Sequence, residues 1–299
     1  MAFIINYDHC LCCGSVAISK VFTCTDFTVS HEQFDVWKCG SCTFRFTQCV
    51  PSAEYIGTYY KSEEYVSHSD TNKGFINKSY HFIRSYTLKT KRNLVRKATG
   101  LQHGVLLEIG AGTGAFANTM ERAGWIVTGL EPDVVAREKA LENYHLKLGE
   151  LGNLESRVGE TFDAITLWHV LEHVHDLHGY LEKFVEILKP SGRLIVAVPN
   201  HTSYDASVYK EFWAAYDVPR HLYHFSPKSM EVLLELKGFE IEAVKPMWFD
   251  SFYVSMLSEK YKSGRNNLLR AVWVGLLSNI KSFFDTKKCS SLIYIIRKK

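Results

Sequence analysis

Cys10-Leu-Cys-Cys13 and Cys39-Gly-Ser-Cys42 place thiols on two Cys-x-x-Cys turns. Thiolates on such paired turns converge tetrahedrally on one zinc ion in the manner of a zinc ribbon, with Cys12 and His9 as alternative donors. A site with four protein ligands keeps no open coordination position, so the metal's role would be structural. The competing interpretations are a redox pair and plain buried cysteines. Glu108-Ile-Gly110-Ala-Gly112-Thr-Gly114 offers a second chemistry. Its glycines permit a tight turn and let a ligand approach the backbone closely. Glu131, about twenty residues on, ends the next apolar run, where a carboxylate can accept hydrogen bonds from ribose hydroxyls. The spacing is Gly-x-Gly-x-Gly, whereas dinucleotide sites use Gly-x-Gly-x-x-Gly, which argues against NAD. Glu108 would also oppose a pyrophosphate, and it suits a cationic ligand better.

Two later segments gather polar groups: His169-Val-Leu-Glu172-His173-Val-His175, and Trp213-Ala-Ala-Tyr216-Asp217-Val-Pro219-Arg220-His221-Leu-Tyr223-His224. Arg220 can fork a carboxylate or phosphate, and His221 can take a proton from a hydroxyl near neutral pH. These two are the preferred catalytic residues, with His169 and His173 as the next candidates. In the alternative, Arg220 pairs with Asp217 and the histidines simply pack.

Such groups need a scaffold. The chain has 299 residues, 46% hydrophobic and 22% charged, which is enough apolar material for a real core. A net charge of +3 is too small to imply a nucleic-acid or membrane partner by itself. Seven of the eight cysteines lie in the first fifty residues, so their chemistry belongs to one module, and in a reducing compartment it favours metal over disulfides. The first residues lack the features of a secretory signal, and no run is long and apolar enough to span a bilayer, so a cytoplasmic protein is expected.

Residues 1–50 carry short β-prone runs such as Val16–Phe22 and Phe44–Thr47 and are expected to form a small zinc-binding β module. A tyrosine-rich connector, 51–74, follows and could cover a cleft. From Ile83 the apolar residues recur at helical spacing until Gly100, and then strands and helices alternate. Strands are expected at Val105–Ile109, Trp125–Leu130, Phe162–Trp168, Arg193–Val198, Phe239–Lys245 and Leu292–Ile296, with a weak one near Glu150. Alternation of this kind predicts an α/β domain over 75–299, with a mostly parallel sheet, helices on both faces and ligands at the carboxyl ends of the strands.

The ordered set Glu108-Ile-Gly-Ala-Gly-Thr-Gly, Gly129-Leu-Glu131-Pro, Phe162 to Val174 and Leu188-Lys-Pro-Ser-Gly-Arg resembles the successive motifs of class I S-adenosylmethionine-dependent methyltransferases. The resemblance covers about residues 75–245 plus the final strand. It implies a Rossmann-like seven-stranded sheet with one antiparallel strand, Leu292–Ile296. It also implies that Glu108, Gly110, Gly112 and Gly114 surround the methionine part of the cofactor, Glu131 the ribose, Glu150 the adenine, and Trp168 and His169 the cleft floor. A Pro-Arg-His stretch is common in the family. Glu172 and His173 resemble a Glu-His pair that binds a divalent metal in some quinone-pathway methyltransferases. Similar cysteine-rich modules precede the methyltransferase domain of some sugar methyltransferases. The resemblance therefore implies a small-molecule acceptor, with a nucleotide-linked sugar or another biosynthetic intermediate as the class to consider.

Two rival functions remain open. An RNA-binding zinc-ribbon methyltransferase would use the basic segment Lys89 to Lys97, and a non-catalytic protein would bind the cofactor only as a sensor. Within an expected helical insertion at 247–290, Leu269, Val272, Trp273, Leu276, Ile280, Phe283 and Phe284 form an apolar stripe that must be covered. Packing on the domain, a homodimer interface, a lid over a bulky apolar substrate and a membrane surface are the alternatives.

Overall fold

The computed structural model describes residues 4–60, 75–156, 159, 161–265 and 267–299, with the side chains of 75–83 outside that description. Most of the tyrosine-rich connector, 61–74, therefore lies outside the described residues, as does the side chain of Ile83.

In chain order the elements begin with β1 (Ile4–Ile5), β2 (Ile18–Thr25), β3 (Gln33–Cys39), β4 (Arg45–Thr47) and β5 (Val50–Pro51). The long helix α1 (Phe75–Thr99) leads into β6 (Val105–Ile109), α2 (Ala115–Glu121), β7 (Ile126–Leu130) and α3 (Val134–Tyr144). Next come β8 (Phe162–Trp168), α4 (Leu177–Ile187), β9 (Leu188–Pro199), α5 (Tyr204–Tyr209) and β10 (Tyr223–His224). The chain ends with α6 (Pro227–Leu236), β11 (Phe239–Pro246), α7 (Asp250–Ser263), α8 (Leu268–Phe284) and β12 (Ser291–Lys298).

Among the described residues the main sheet has six strands, in the order β11-β12-β9-β8-β6-β7. β6 pairs in parallel with β7 and β8, and β8 with β9, while β12 runs antiparallel between β9 and β11. The antiparallel strand is where the motifs implied it. Among the described residues no seventh strand forms: the weak segment before Glu150 contributes an isolated parallel bridge between Leu130 and Gly149. A short 3-10 turn begins at Leu151, immediately after that bridge, so the segment pairs at a single point.

Local chemistry explains the boundaries. Asp133 and Asp176 accept from Ala136 N and Gly179 N, which caps α3 and α4. Ser226 and Ser229 form a capping box at α6 with Pro227 at its first position. β8 is almost wholly buried because helices cover both faces of the sheet, so its sequence is a continuous apolar run rather than an alternation.

The cysteine-bearing segment does not stand apart from this sheet. β2, β3 and β4 form a small antiparallel sheet whose edge is completed by β10, with Phe46 opposite Tyr223. Phe44 packs against Tyr223 and Phe225, and one buried cluster runs from Cys10, Cys39 and Phe44 into Leu171, Leu222 and Tyr294. Histidines from the connections of the larger sheet donate to backbone carbonyls of the first fifty-one residues: His178, in the first turn of α4, to Leu11, His175 to Pro51 and His201 to Thr43. No helix among the described residues is long and apolar enough to cross a membrane.

Candidate active site

Gly110, Gly112 and Gly114 all have positive φ, at 69°, 54° and 77°, and turn the chain from β6 into α2. They serve different ends. A Cβ at Gly110 would collide with Val170 Cγ2, and one at Gly114 would stand 3.0 Å from Ala140 Cβ. At Gly112 a Cβ would meet nothing within 4 Å, so that position borders open space. Glu131, at the end of β7, accepts from Gly112 N at 2.7 Å and from Asp133 N at 3.0 Å. Each carboxylate oxygen still has a lone pair for a hydroxyl donor.

Glu108 ends up buried, and its Oε2 has no hydrogen-bond partner. Burial pushes its carboxyl up to about 8, partly opposed by the ammonium of Lys91. Lys91, on α1, lies 4.3 Å from the centre of the Trp168 ring, and Phe116 meets that ring edge-on at 5.5 Å. A buried carboxyl with one free oxygen beside an open glycine turn fits a cationic ligand such as a sulfonium, whose charge would favour the ionised form, and the residues present are therefore compatible with S-adenosylmethionine. Glu150 is engaged elsewhere, in an ion pair with Arg137 at 3.0 Å.

Immediately after β8, His169 sits in the left-handed region at φ 58°, a conformation costly for a non-glycine residue and typical of functional turns. Its Nε2 lies 3.0 Å from Asp250 and its Nδ1 3.4 Å from Glu172. Burial alone would depress the imidazole, but Asp250 and Glu172 outweigh it and raise it to about 10. His169 is therefore a cation near neutral pH, suited to donating hydrogen bonds and unsuited to accepting a proton. Asp250, at the start of α7, was not visible in the sequence, because nothing local links it to His169. Lys91 was visible only as one member of a basic run.

His173 and His221 meet edge to face with ring centres 4.6 Å apart. Nδ1 of His221 lies 2.8 Å from the Ala215 carbonyl, and Nδ1 of His173 lies 3.0 Å from the Arg220 carbonyl. A carbonyl only accepts, so both rings donate from Nδ1, and in the neutral ring Nε2 is then the acceptor. Burial, and after it the neighbouring His221, lower His173 to about 4. Glu172 is fully buried with neither oxygen hydrogen-bonded, and its carboxylate and the two imidazoles bring ligand-type atoms within 4.8 Å of one another.

Arg220 does not face this cleft. Its side chain is 1% exposed and its guanidinium donates to Asp217, Asp26, Thr28 and the Tyr59 carbonyl. The expected substrate clamp is corrected accordingly: with every face of the fork engaged by protein, Arg220 is a structural tie.

Cys10, Cys13, Cys39 and Cys42 converge with all four sulfurs within 4.8 Å of one another. The closest pairs are Cys10–Cys42 at 3.5 Å and Cys13–Cys39 at 3.7 Å. Disulfides would need about 2.05 Å, whereas sulfurs around a tetrahedral zinc lie roughly 3.8 Å apart. The amides of Cys12 and Ser41 donate to Cys10 Sγ and Cys39 Sγ, bonds that favour thiolates. Burial opposes the Cys39 thiolate, but amide hydrogen bonds from Cys42 and Ser41 outweigh it and bring the thiol down to about 7, whereas without a metal Cys10 is pushed up by its contact with Cys42 and Cys13 by burial. Cys12 instead donates to the Ser229 carbonyl, and His9 pairs with Asp8 on the surface, so neither alternative donor joins the cluster.

Comparison with known proteins places the domain in a family. Residues 80–244 match the family model described as a methyltransferase domain. The chain is 28% identical over 193 residues to the mitochondrial ubiquinone biosynthesis O-methyltransferase of Rattus norvegicus, covering 57% of this chain and 54% of the relative. It is also 28% identical over 182 residues to the ubiquinone biosynthesis O-methyltransferase of Vibrio campbellii, covering 58% and 77%. The chain thus spans about half the length of the mammalian relatives it matches. Among solved structures, the magnesium protoporphyrin IX methyltransferase of Synechocystis PCC 6803 with bound SAH aligns at a TM-score of 0.52 and 13% identity. That alignment covers 81% of this chain and 97% of the other, a similarity of fold.

Proposed function

Since this chain belongs to the methyltransferase-domain family, we infer that it transfers the methyl group of S-adenosylmethionine to a small-molecule acceptor. The observation that carries this is the open turn at Gly112 bordered by Glu108, whose Oε2 has no hydrogen-bond partner, and by Glu131. An oxygen acceptor is favoured because the relatives are named O-methyltransferases. The bound cofactor would supply an activated methyl group and its own leaving group, so the protein needs to align the acceptor and remove a proton.

His221 is the proposed general base. Its Nδ1–H is fixed on the Ala215 carbonyl, which leaves Nε2, 4.0 Å from Asp217 Oδ2, to accept, and the Asp217 and Glu172 carboxylates would stabilise the imidazolium that forms. His169, held cationic by Asp250, would orient the acceptor oxygen or balance Glu172. Gly110 packs on Val170, which brings the cofactor turn and the histidine segment to one rim of the sheet. Structural zinc on the four cysteines is part of the same proposal, and its function is to hold the small sheet that carries β10 and the His221 loop.

Turnover of labelled S-adenosylmethionine against a metabolite extract tests the activity. An acceptor should become labelled, and His221→Ala should lower kcat by roughly a hundred- to ten-thousand-fold while leaving S-adenosylhomocysteine affinity nearly intact. Cofactor binding without any labelled product would favour a sensor instead. A divalent cation on Glu172, His173 and His221 is the alternative to a free base, favoured by the oxygens of Glu172, which accept no hydrogen bond and whose ion pair is with His169 at 3.4 Å. Loss of turnover with a chelator that spares the cysteine-bound zinc, restored by adding the cation, would select it.

A further inference from the structure

The two helices between β11 and β12 present their apolar residues outward. Along α8 the residues facing the protein are Ala271, Val274, Gly275, Ser278 and Ser282. On the other side Leu269 is 88% exposed, Trp273 60%, Phe283 78% and Phe284 82%, with Val272 and Ile280 between them. At about 100° per residue these form one stripe centred opposite the buried face, with Arg270 and Lys281 along one flank. α7 behaves similarly, burying Ser251, Val254, Ser255 and Ser258 while Tyr253 and Met256 are exposed beside Trp248 and Phe249.

Polar bonds hold this orientation. Ser278 donates to Asp205 at 2.8 Å and Ser251 to Asn279 Oδ1 at 3.0 Å, both from the inward faces. A Cβ on Gly275 would stand 2.7 Å from a ring carbon of Phe252, so the helices approach through their small residues. Rotating α8 to hide its aromatics would expose the small face and break these contacts. The outward apolar surface is therefore a property of the fold, and a surface of this extent marks an interaction site.

Charge selects the occupant. Residues 247–290 carry seven basic side chains (Lys260, Lys262, Arg265, Arg270, Lys281, Lys287 and Lys288) against three acidic ones, Asp250, Glu259 and Asp285. All seven bases are exposed, with Arg270 paired to Glu259; of the acids Asp250 is engaged by His169, and Asp285 alone is exposed, so the basic excess remains. Two copies joined through the same patch would oppose these basic rims to each other. An apolar stripe flanked by Lys and Arg matches an anionic lipid surface instead. A cavity of about 310 Å³ lies behind the start of α7. It shares Trp248 and Phe249 with the exposed face, and it shares Lys91, which lies over Trp168, with the candidate active site.

We propose that α7 and α8 seat this protein on an anionic lipid surface, from which an apolar acceptor enters the cavity lined by Lys91, Trp248 and Phe249. The docking stands on the surface alone, and the route of the acceptor rests on the methyl-transfer function inferred above. Sedimentation of the full, zinc-loaded chain with phosphatidylcholine vesicles containing one-third phosphatidylglycerol tests it, with S-adenosylhomocysteine calorimetry run alongside. The wild type should sediment with these vesicles, less in high salt, with a blue shift of tryptophan fluorescence. Phe283→Ser with Phe284→Ser should weaken the association by more than about tenfold, with unchanged S-adenosylhomocysteine affinity. Lys287→Glu with Lys288→Glu, on the surface, should lower affinity for the anionic vesicles alone, and it carries the test if the apolar variant fails to fold. A wild type that binds S-adenosylhomocysteine but ignores the vesicles overturns the docking and leaves the methyl-transfer function standing. A dimer dissolved by the phenylalanine variant, with no vesicle binding, overturns it in favour of a second copy.

Discussion

The guanidinium of Arg220 donates to the carboxylate of Asp26 at 2.9 Å with both side chains sealed from solvent. Asp26 follows β2 of the small sheet, and Arg220 immediately precedes His221, so this ion pair locks the cysteine-bearing module to the loop that carries the proposed base. Arg220 and backbone and hydroxyl donors from the Thr28–Ser30 turn outweigh burial and hold Asp26 well below the usual carboxylate range.

Arg220→Ala should accordingly act on stability before it acts on substrate affinity. Removing one partner of a buried pair strands Asp26 and Asp217 and costs about 3–5 kcal/mol. Denaturant unfolding should show that loss. A variant of wild-type stability with only a raised acceptor KM would restore the substrate-clamp role.

Zinc removal should reach the proposed active site. Elemental analysis is expected to give about one zinc per chain, lost in Cys39→Ser with Cys42→Ser. Because β10 completes the small sheet and Thr47 donates to the His221 carbonyl at 2.7 Å, the metal-free protein should also lose hydrogen-exchange protection around 221–225. Protection unchanged in that loop would separate the two.

The three glycines of the turn should not be equivalent. Gly110→Ala drives a methyl into Val170 and should lower both stability and turnover. Gly112→Ala meets no protein atom within 4 Å, so its strain at positive φ should cost only about 1–2 kcal/mol of stability, while S-adenosylhomocysteine affinity falls sharply. Equal loss of affinity with equal loss of melting temperature in both variants would contradict this division. Glu131→Ala leaves both the Gly112 and Asp133 amides without their acceptor, and Glu131→Gln still sets an NH2 donor against one of them, so either variant should loosen the turn as well as weaken S-adenosylhomocysteine binding.

His169 supplies a pH dependence with a definite sign. Its folded value, about 10, lies above the ordinary 6.5, so its contribution is fully present below about pH 6.5 and is lost as pH rises through about 10. The melting-temperature gap between wild type and His169→Gln should narrow across that window. Its side chain is 31% exposed, which moderates the size of the effect through solvent screening. A gap that widens with pH would mean that His169 is neutral in the folded protein.

Features written in adjacent residues were legible in the sequence. The run Val105–Ile109 followed by alternating glycines, the caps at Asp133 and Ser226, the strand Phe162–Trp168 and the paired Cys-x-x-Cys turns each depend on a spacing of a few residues, and propensity and periodicity act at that range. The seventh strand failed at the same range, since a weakly apolar segment could hold a single bridge at Gly149 and then turned into a 3-10 helix. Tertiary structure decided what lay between distant segments. It gave Arg220 to Asp26 instead of a substrate, made His169 a cation through Asp250, and turned His175, His178 and His201 into tethers for the small sheet. It also decided the direction of α8. Periodicity identifies an apolar stripe but not the side it faces, and here the small residues and hydroxyls of the opposite face found closer partners in Asp205 and α7. A sequence states which groups are available, while their partners follow from packing and hydrogen-bond geometry over the whole chain.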